Sequence, residues 1–424
     1  MIISPHVYLR IRSLRHRDAP LLPGLKEIYI PDELNTSLDF SSALLLASDS
    51  SLSSIHLDHS ATSDRQFCIP FLFLLSINSP NLTHLTLRGT VDMSLELVPR
   101  FKNLQSLDLR LSGTYLGSQF LQDLGKLDNL LDLTLDTSPS PIEAPTTRPL
   151  TKQSDRSTFL RLRRLHIFGI PSSISRVLDD MQVLMNLTTL LIHEKTDDLG
   201  RHTESSWKRC FAIISTFAAI EDIQITQLEH SPWRNHYRLS TSCFYPLYQL
   251  NNVKSFVIQN ATLSGSDEDF RFLACAFPKM IKFVEPSAAY SEGRTLACLL
   301  HFSQANRHLR ELKISLAALD ISNNLKAINV IGRPIIQDLD HPLESLYICS
   351  KFGSLNLPDM IQVAQFLDLI FPNLSTLKAY GSDTYEVSNW SKIQQIRVAL
   401  QASRIKASSA TKISNDQGEH GILL

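Results

Sequence analysis

The sequence predicts an α/β solenoid, one strand-and-helix unit stacked many times, and three observations carry that expectation. An apolar-x-x-apolar-x-apolar hexad recurs thirteen times. Its starts lie 22 to 34 residues apart and average about 29. Most of the intervals also hold a stretch with apolar residues at i, i+3, i+4 and i+7, the spacing of a helix that buries one face. Leu supplies 68 of the 424 residues, whereas the 14 glycines are too few for nucleotide folds that need several glycine turns.

The hexads run in order as LKEIYI from Leu25, LSSIHL from Leu52, LTHLTL from Leu82, LQSLDL from Leu104 and LLDLTL from Leu130. LRRLHI from Leu162, LTTLLI from Leu187, IEDIQI from Ile220 and VKSFVI from Val253 follow. MIKFVE from Met280, LRELKI from Leu309, LESLYI from Leu343 and LSTLKA from Leu374 close the series. MIKFVE and LSTLKA are degenerate, because Glu285 and Ala379 stand where the last large apolar residue belongs. The spacing is that of a leucine-rich-repeat strand. One such unit cannot bury both its strand face and its helix face, so stacked neighbours must share a core. Each hexad puts three side chains into it, worth roughly 1.5–3 kcal/mol apiece before the entropy of ordering is charged. The expected architecture is a right-handed horseshoe with a concave parallel sheet and convex helices.

Helices are expected at 65–77, 118–127, 173–185, 207–218, 267–277, 292–304 and 359–371. Asp267 and Asp359 suit first turns, and Pro80, Pro278 and Pro372 follow helices that they would break. Residues 1–20 form a lead-in or cap, 21–386 the repeats, 387–403 a capping helix and 404–424 a disordered tail. Two intervals are swollen. Residues 137–158 hold four prolines among many Ser and Thr and read as a mobile loop. Residues 226–249 gather Trp233, His236, Tyr237, Phe244, Tyr245 and Tyr248; Phe244 and Tyr245 are expected to pack between repeats.

Composition narrows the function. A formal charge of −1 and a pI near 6.9 give no basic footprint for nucleic acid. The N-terminal stretch is interrupted by Pro5, His6 and Arg10, unlike a signal peptide, and no run of 18 apolar residues occurs, so no membrane segment is expected. The six cysteines are scattered with no Cys-x-x-Cys pair, which fits reduced, buried thiols and a cytoplasmic or nuclear location. No phosphate loop, dinucleotide fingerprint or nucleophile elbow is found, and neither an enzyme nor a cofactor is expected. His193-Glu194 begins like a zinc-protease motif but lacks the second His, and His301 and His308 read as a helix and its exposed cap rather than a metal site.

Asn81, Asn186 and Asn373 each begin an Asn-Leu-Ser/Thr triplet, formally a glycosylation acceptor. All three sit one residue before the first Leu of a hexad. Asn there ends the helix and turns the chain into the strand, so the triplet repeats because the fold repeats.

Several segments together resemble the leucine-rich-repeat part of fungal F-box-like proteins of mushroom type. They are LLPGLKEIYIPD with LLLASDSSLSSIHLD, LFLLSINSPNLTHLTLRG, GSDEDFRFLACAFPKMIKF with Phe277 where Trp is common, and FLDLIFPNLSTLKAY followed by Trp390. The resemblance spans roughly residues 20–395. It implies a substrate receptor of a cullin–RING ubiquitin ligase, in which an N-terminal F-box binds the ligase adaptor and the repeats hold the substrate. IPDEL at 30–34 looks superficially like an F-box opening but directly follows the strand LKEIYI, and twenty residues are too few for an F-box. The adaptor is therefore an expected partner only if an F-box lies upstream; the alternative is a stand-alone repeat scaffold.

Outward strand positions alternate with the buried ones. In the middle repeats they include His84, Arg88, Asp108, Arg110, Asp132, Asp136, Arg164, His166 and Phe168, with Thr86, Ser106 and Thr134 between them. As a binding strip, Arg88, Arg110 and Arg164 would contact carboxylates and Phe168 would be an apolar anchor for a protein partner. Otherwise this is a solvated sheet face.

Overall fold

All thirteen hexads fold as strands, and within each unit neighbouring hexad strands pair in parallel. The computed structural model describes residues 24–30, 51–58, 65–89, 95–111, 114, 116–137, 159–181, 184–195, 204–228, 238–285, 293–317, 340–350, 355–380 and 384–418. The swollen interval beyond Thr137 and the residues Trp233, His236 and Tyr237 lie outside these. The chain divides into two compact units, residues 1–220 with 225–230, and residues 221–224 with 231–424.

The first unit holds β1 (Glu27–Ile30), β2 (Ser54–Leu57), β3 (His84–Gly89), β4 (Ser106–Leu111), β5 (Asp132–Asp136), β6 (Arg164–Gly169) and β7 (Thr189–Lys195). Strand β8 (Asp222–Leu228) is divided between the units. In-register pairing keeps the apolar positions in rows, as in Ile55–Leu85–Leu107–Leu133–Leu165–Leu190. Every one of those side chains is at most 1% exposed. A one-residue slip would turn the whole row outward, so the hexad pattern itself fixes the register. Helices α1 (Arg65–Asn78), α2 (Ser118–Gly125), α3 (Pro171–Asp180) and α4 (Glu204–Ile214) lie in the intervals, with a 3-10 turn at Leu95–Arg100.

The second unit has β10 (Ser255–Gln259), β12 (Lys282–Val284), β13 (Glu311–Ser315), β14 (Ser345–Cys349) and β15 (Thr376–Ala379) in the main sheet. The short strands β9 (Arg238–Ser240) and β11 (Thr262–Ser264) pair with each other. Its helices are α5 (Asp267–Ala276), α6 (Ala297–Ala305), α7 (Leu357–Ile370) and α8 (Thr384–Gly418), with a 3-10 helix at Thr241–Gln249. Phe244 is buried against Phe256, but Tyr245, expected to pack between repeats, is half exposed, with its hydroxyl donating to Asp269 at 3.1 Å.

Helix α3 ends at Asp180 rather than 185 and α4 spans Glu204–Ile214 rather than 207–218, and two further helices differ for reasons the structure shows. Helix α6 begins at Ala297 rather than 292, because Gly293 takes φ +87° and Thr295 donates its N–H and hydroxyl to Asp267. Those residues form a turn and cannot join the helix. Helix α8 runs from 384 through 418 instead of 387–403, so residues 404–418, expected to be a disordered tail, are helical. The stretch is mostly polar, with Ile405 and Ile413 as its large apolar residues, but it lacks Pro, has Gly only at its end, and helix propensity needs no apolar stripe. Trp390, Ile393 and Arg397, at i, i+3 and i+7, form its buried face.

Entry to most of the hexad strands repeats one bonding pattern. In the first unit the carbonyls of Lys26, Ser53, Thr83, Gln105, Leu131 and Arg163 each accept two consecutive N–H groups of the next repeat. In the second, Glu221, Lys254, Ile281, Arg310 and Glu344 do the same, and all these distances lie between 2.7 and 3.2 Å. Asparagines reach back one repeat to the carbonyl two residues before the preceding hexad. Asn103 donates to Pro80 O at 2.8 Å and Asn186 to Leu160 O at 2.5 Å. Asn373 donates to Asp340 at 2.8 Å and His341 O at 3.3 Å. The structural reading of Asn186 and Asn373 as turn residues thus has a mechanism. Asn306 is fully buried and serves both Ala274 O and Phe277 O, at 3.0 and 2.7 Å. Asn306→Ala leaves both carbonyls without its amide, and the expected cost is about 1–3 kcal/mol by urea denaturation. A loss no greater than that of an exposed Asn→Ala change would show the ladder to be dispensable.

The degenerate hexad at Met280 is explained by its partner. Glu285 faces inward and is completely buried, and Arg294, equally buried, bonds its carboxylate. Arg294 also donates to Leu263 O at 2.9 Å and lies over the Phe270 ring at 4.6 Å. Burial pushes the Glu285 carboxyl up while the guanidinium pulls it down, and the carboxylate in turn keeps Arg294 protonated. Tyr380 donates to Glu285 O at 3.1 Å and meets the Ser315 hydroxyl at 3.2 Å. A polar knot thus replaces the missing leucine.

All six cysteines are free; Cys275 is exposed and the others are buried. Among the described residues, no helix is long and apolar enough to cross a membrane.

Candidate functional site

The nine candidate residues all lie in the first unit, on strands β3 to β6, at positions that alternate with the core rows. Pairing sets them in columns across the sheet. Thr86, Asp108, Thr134 and His166 share one level, and Leu191 of β7 continues it. One pleat further on, Arg88 lies opposite Arg110, Asp136 opposite Phe168, and Phe168 opposite His193. Alternation along the strand and parallel register across it therefore bring residues from four distant segments onto one face.

At its centre Asp108 holds two guanidinium groups. Arg88 donates from Nη2 to Oδ2 at 2.8 Å and Arg110 from Nε to Oδ1 at 3.0 Å. Only 14% of the Asp108 side chain is exposed, against 35% for each arginine, so the acid is beneath and the cations are above. The Arg110 guanidinium lies over the Phe168 ring, 4.7 Å from its centroid. Phe168 stacks on His193 at 4.7 Å with the rings 14° apart, and His166 touches both at 4.5 Å. Burial, aided by the positive charge of Arg110, lowers the basicity of both imidazoles, taking His166 down to about 4. Both are therefore neutral near pH 7.

The remaining candidates are placed differently. Asp132 and Arg164 pair with each other at 2.9 Å near the strand entries. His84 is exposed there too, its Nδ1 2.8 Å from the Thr83 hydroxyl. Asp136 corrects the expectation: it points to the outward face but is only 6% exposed, with Lys195 bonded to it at 2.5 Å. The long lysine chain from β7 covers it.

The sequence reading confined itself to the middle repeats and missed both flanks. On one side are Leu191, His193 and Lys195 of β7; on the other Tyr29 of β1 and His56 of β2 with Asp58. His56 bonds Asp58 at 2.9 Å, and the Tyr29 hydroxyl donates to Asp58 at 3.2 Å. The same alternation, applied to LKEIYI and LSSIHL and carried past LTTLLI to Lys195, identifies Tyr29, His56, Leu191, His193 and Lys195. The alternation also explains His193-Glu194. These neighbours lie on a strand, not a helix, so His193 faces outward and Glu194 points into the core, 1% exposed. Burial pushes the Glu194 carboxyl up to about 7, with the Trp207 indole pulling the other way.

Stacked parallel strands with alternating buried rows, returned by helices or turns, define a repeat protein of the leucine-rich type. No family model matches the chain, and no curated protein sequence does. Among solved structures, a leucine-rich-repeat protein of Leptospira interrogans is similar at 13% identity and a TM-score of 0.38, over 86% of this chain and 79% of that one. The Rad7–Elc1 complex of yeast is similar at 13% identity and a TM-score of 0.34, over 90% of this chain and 80% of that one. The repeat class stands on the register of this chain itself.

Proposed function

We propose that the chain is a non-enzymatic protein-recognition module that holds a protein partner on the outward strand face of its first unit. The observation that carries this reading is the Asp108–Arg110–Phe168–His193 arrangement. A face meant only for water has no use for a guanidinium fixed between an acid and an aromatic ring. Preorganised Arg and aromatic side chains are the residue types that dominate binding energy at protein interfaces. The family resemblance supports a finer reading, a substrate receptor of a cullin–RING ubiquitin ligase, in the cytoplasm or nucleus.

Affinity capture with tagged full-length chain tests the first part. Replacing both Arg110 and Phe168 by alanine is expected to weaken partner recovery at least about tenfold. Lys208→Ala, on an exposed turn of α4 where Lys208 pairs with Glu204, is the control and keeps recovery unchanged. Equal recovery with the double variant would remove the strand face from consideration. The ligase role is tested by mixing the purified chain, with and without any upstream extension encoded in its gene, with purified ligase adaptor on a sizing column. If neither form co-elutes, the ligase role is wrong and a stand-alone scaffold is the better description.

A further inference from the structure

Charges on the strand face of the first unit pair across strands: Arg164 with Asp132 at 2.9 Å and Lys195 with Asp136 at 2.5 Å. Asp58 takes bonds from His56 and Tyr29. Asp108 serves two cations, Arg88 and Arg110. Of the two, Arg88 gives both its Nε and its Nη2 to Asp108, at 3.3 and 2.8 Å. Arg110 gives Nε, and among the described residues its terminal pair of nitrogens, the fork that suits a carboxylate, is left unclaimed. The fork cannot swing freely, because Asp108 holds one edge of the guanidinium and the Phe168 ring lies under its plane. Planar groups held in this way lose little freedom when they bind, which raises affinity. Beside it, Phe168 and the neutral rings of His166 and His193 form a continuous aromatic surface.

We propose that Arg110 anchors a carboxylate-binding site, and that the partner offers an acidic side chain with an apolar neighbour that lies on the Phe168–His193 stack. This rests on the recognition reading above and names the chemistry of the partner at that face. The acid bonds the fork of Arg110, with the Arg88 charge adding attraction from the next strand. The apolar neighbour is dehydrated against rings that already shed part of their water on each other.

The test uses full-length chain and two fluorescein-labelled hexapeptides read by anisotropy. One carries two glutamates between leucines and the other carries glutamines in their place. The glutamate peptide is expected to bind at least about tenfold more tightly than the glutamine one, and more weakly as salt is raised. Arg110→Gln should abolish that preference. Arg110→Lys, which keeps the charge but lacks the planar fork, should lose most of it, and a urea midpoint equal to the parent's in both variants rules out a folding defect. Lys208→Ala, on α4 and off the strand face, should leave it unchanged. Equal binding of the two peptides, no binding of the glutamate peptide at millimolar concentration, or an undiminished preference in Arg110→Gln each overturns the proposal. The recognition reading fails by a different result, unchanged partner capture by the Arg110 and Phe168 double alanine variant, so the two can fall separately.

Discussion

Arg294→Met is expected to lower the unfolding free energy of the second unit by about 3–5 kcal/mol, the cost of leaving a buried charge without its partner. Glu285 would then be completely buried with no cation to bond, and Leu263 O would lose its donor as well. Urea denaturation followed by Trp390 fluorescence reads the loss, because Trp390 is buried in the same unit and donates to Ser350. The informative companion is the double change Glu285→Leu with Arg294→Met, which restores the apolar residue that the hexad pattern calls for. Removing both charges together removes the desolvation cost along with the attraction, so the double variant should return to within about 2 kcal/mol of the parent or exceed it. If Arg294→Met alone matches the parent, the pair contributes nothing. If the double variant is as weak as the single one, the loss comes from packing of the Arg294 stem on Phe270 rather than from the orphaned carboxylate.

That pair also shows where a sequence stops being legible. The thirteen strands could be read because their signal is periodic: Leu82, Leu85 and Leu87 announce a strand within six residues, and every other repeat says it again. Glu285 looked like decay of the pattern, since its partner Arg294 lies nine positions away in an interval whose length carries no period. The same limit applies to the strand face. Alternation alone identifies Arg88, Arg110, His166 and Phe168 as outward, and that much was legible. That Phe168 of β6 lies beneath Arg110 of β4 depends on side chains reaching across the intervening strand, and no local spacing encodes that reach. Asp136 failed for a related reason. Its direction followed from alternation, but its burial came from Lys195, 59 residues later. Helix α8 was misjudged on composition, because a polar stretch without Pro can be helical as readily as it can be unfolded.

Glu194→Gln is expected to change how the stability of the first unit depends on pH. Glu194 faces the core, and among the described residues no cation pairs with it as Arg294 pairs with Glu285, nor does its buried Oε1 find a hydrogen bond. Burial raises its carboxyl from an ordinary value of 4.5 to about 7. In the unfolded chain the group ionises near its ordinary value, so below about pH 4.5 both states carry the proton and stability is undiminished. As pH rises through the interval the unfolded chain gives up the proton first, and stability falls until the folded carboxyl ionises at about 7. Above that the loss is complete, at roughly 3 kcal/mol for a rise of this size. Glutamine keeps the shape and a hydrogen-bonding head group without the charge, so the variant should match the parent near pH 4.5 and exceed it by about 3 kcal/mol at pH 8. Urea titrations across that range, read by the fluorescence of Trp207 in the same unit, check both the sign and the window. Parallel curves for parent and variant would mean that Glu194 is neutralised or hydrated in a way its position in the core does not suggest. A crossing in the opposite direction, with the parent gaining over the variant as pH rises, would require a cation that reaches Glu194 from outside the described residues. The outcome bears on the binding face directly, since Glu194 follows His193 on β7 and any rearrangement of that strand moves the ring on which Phe168 is stacked.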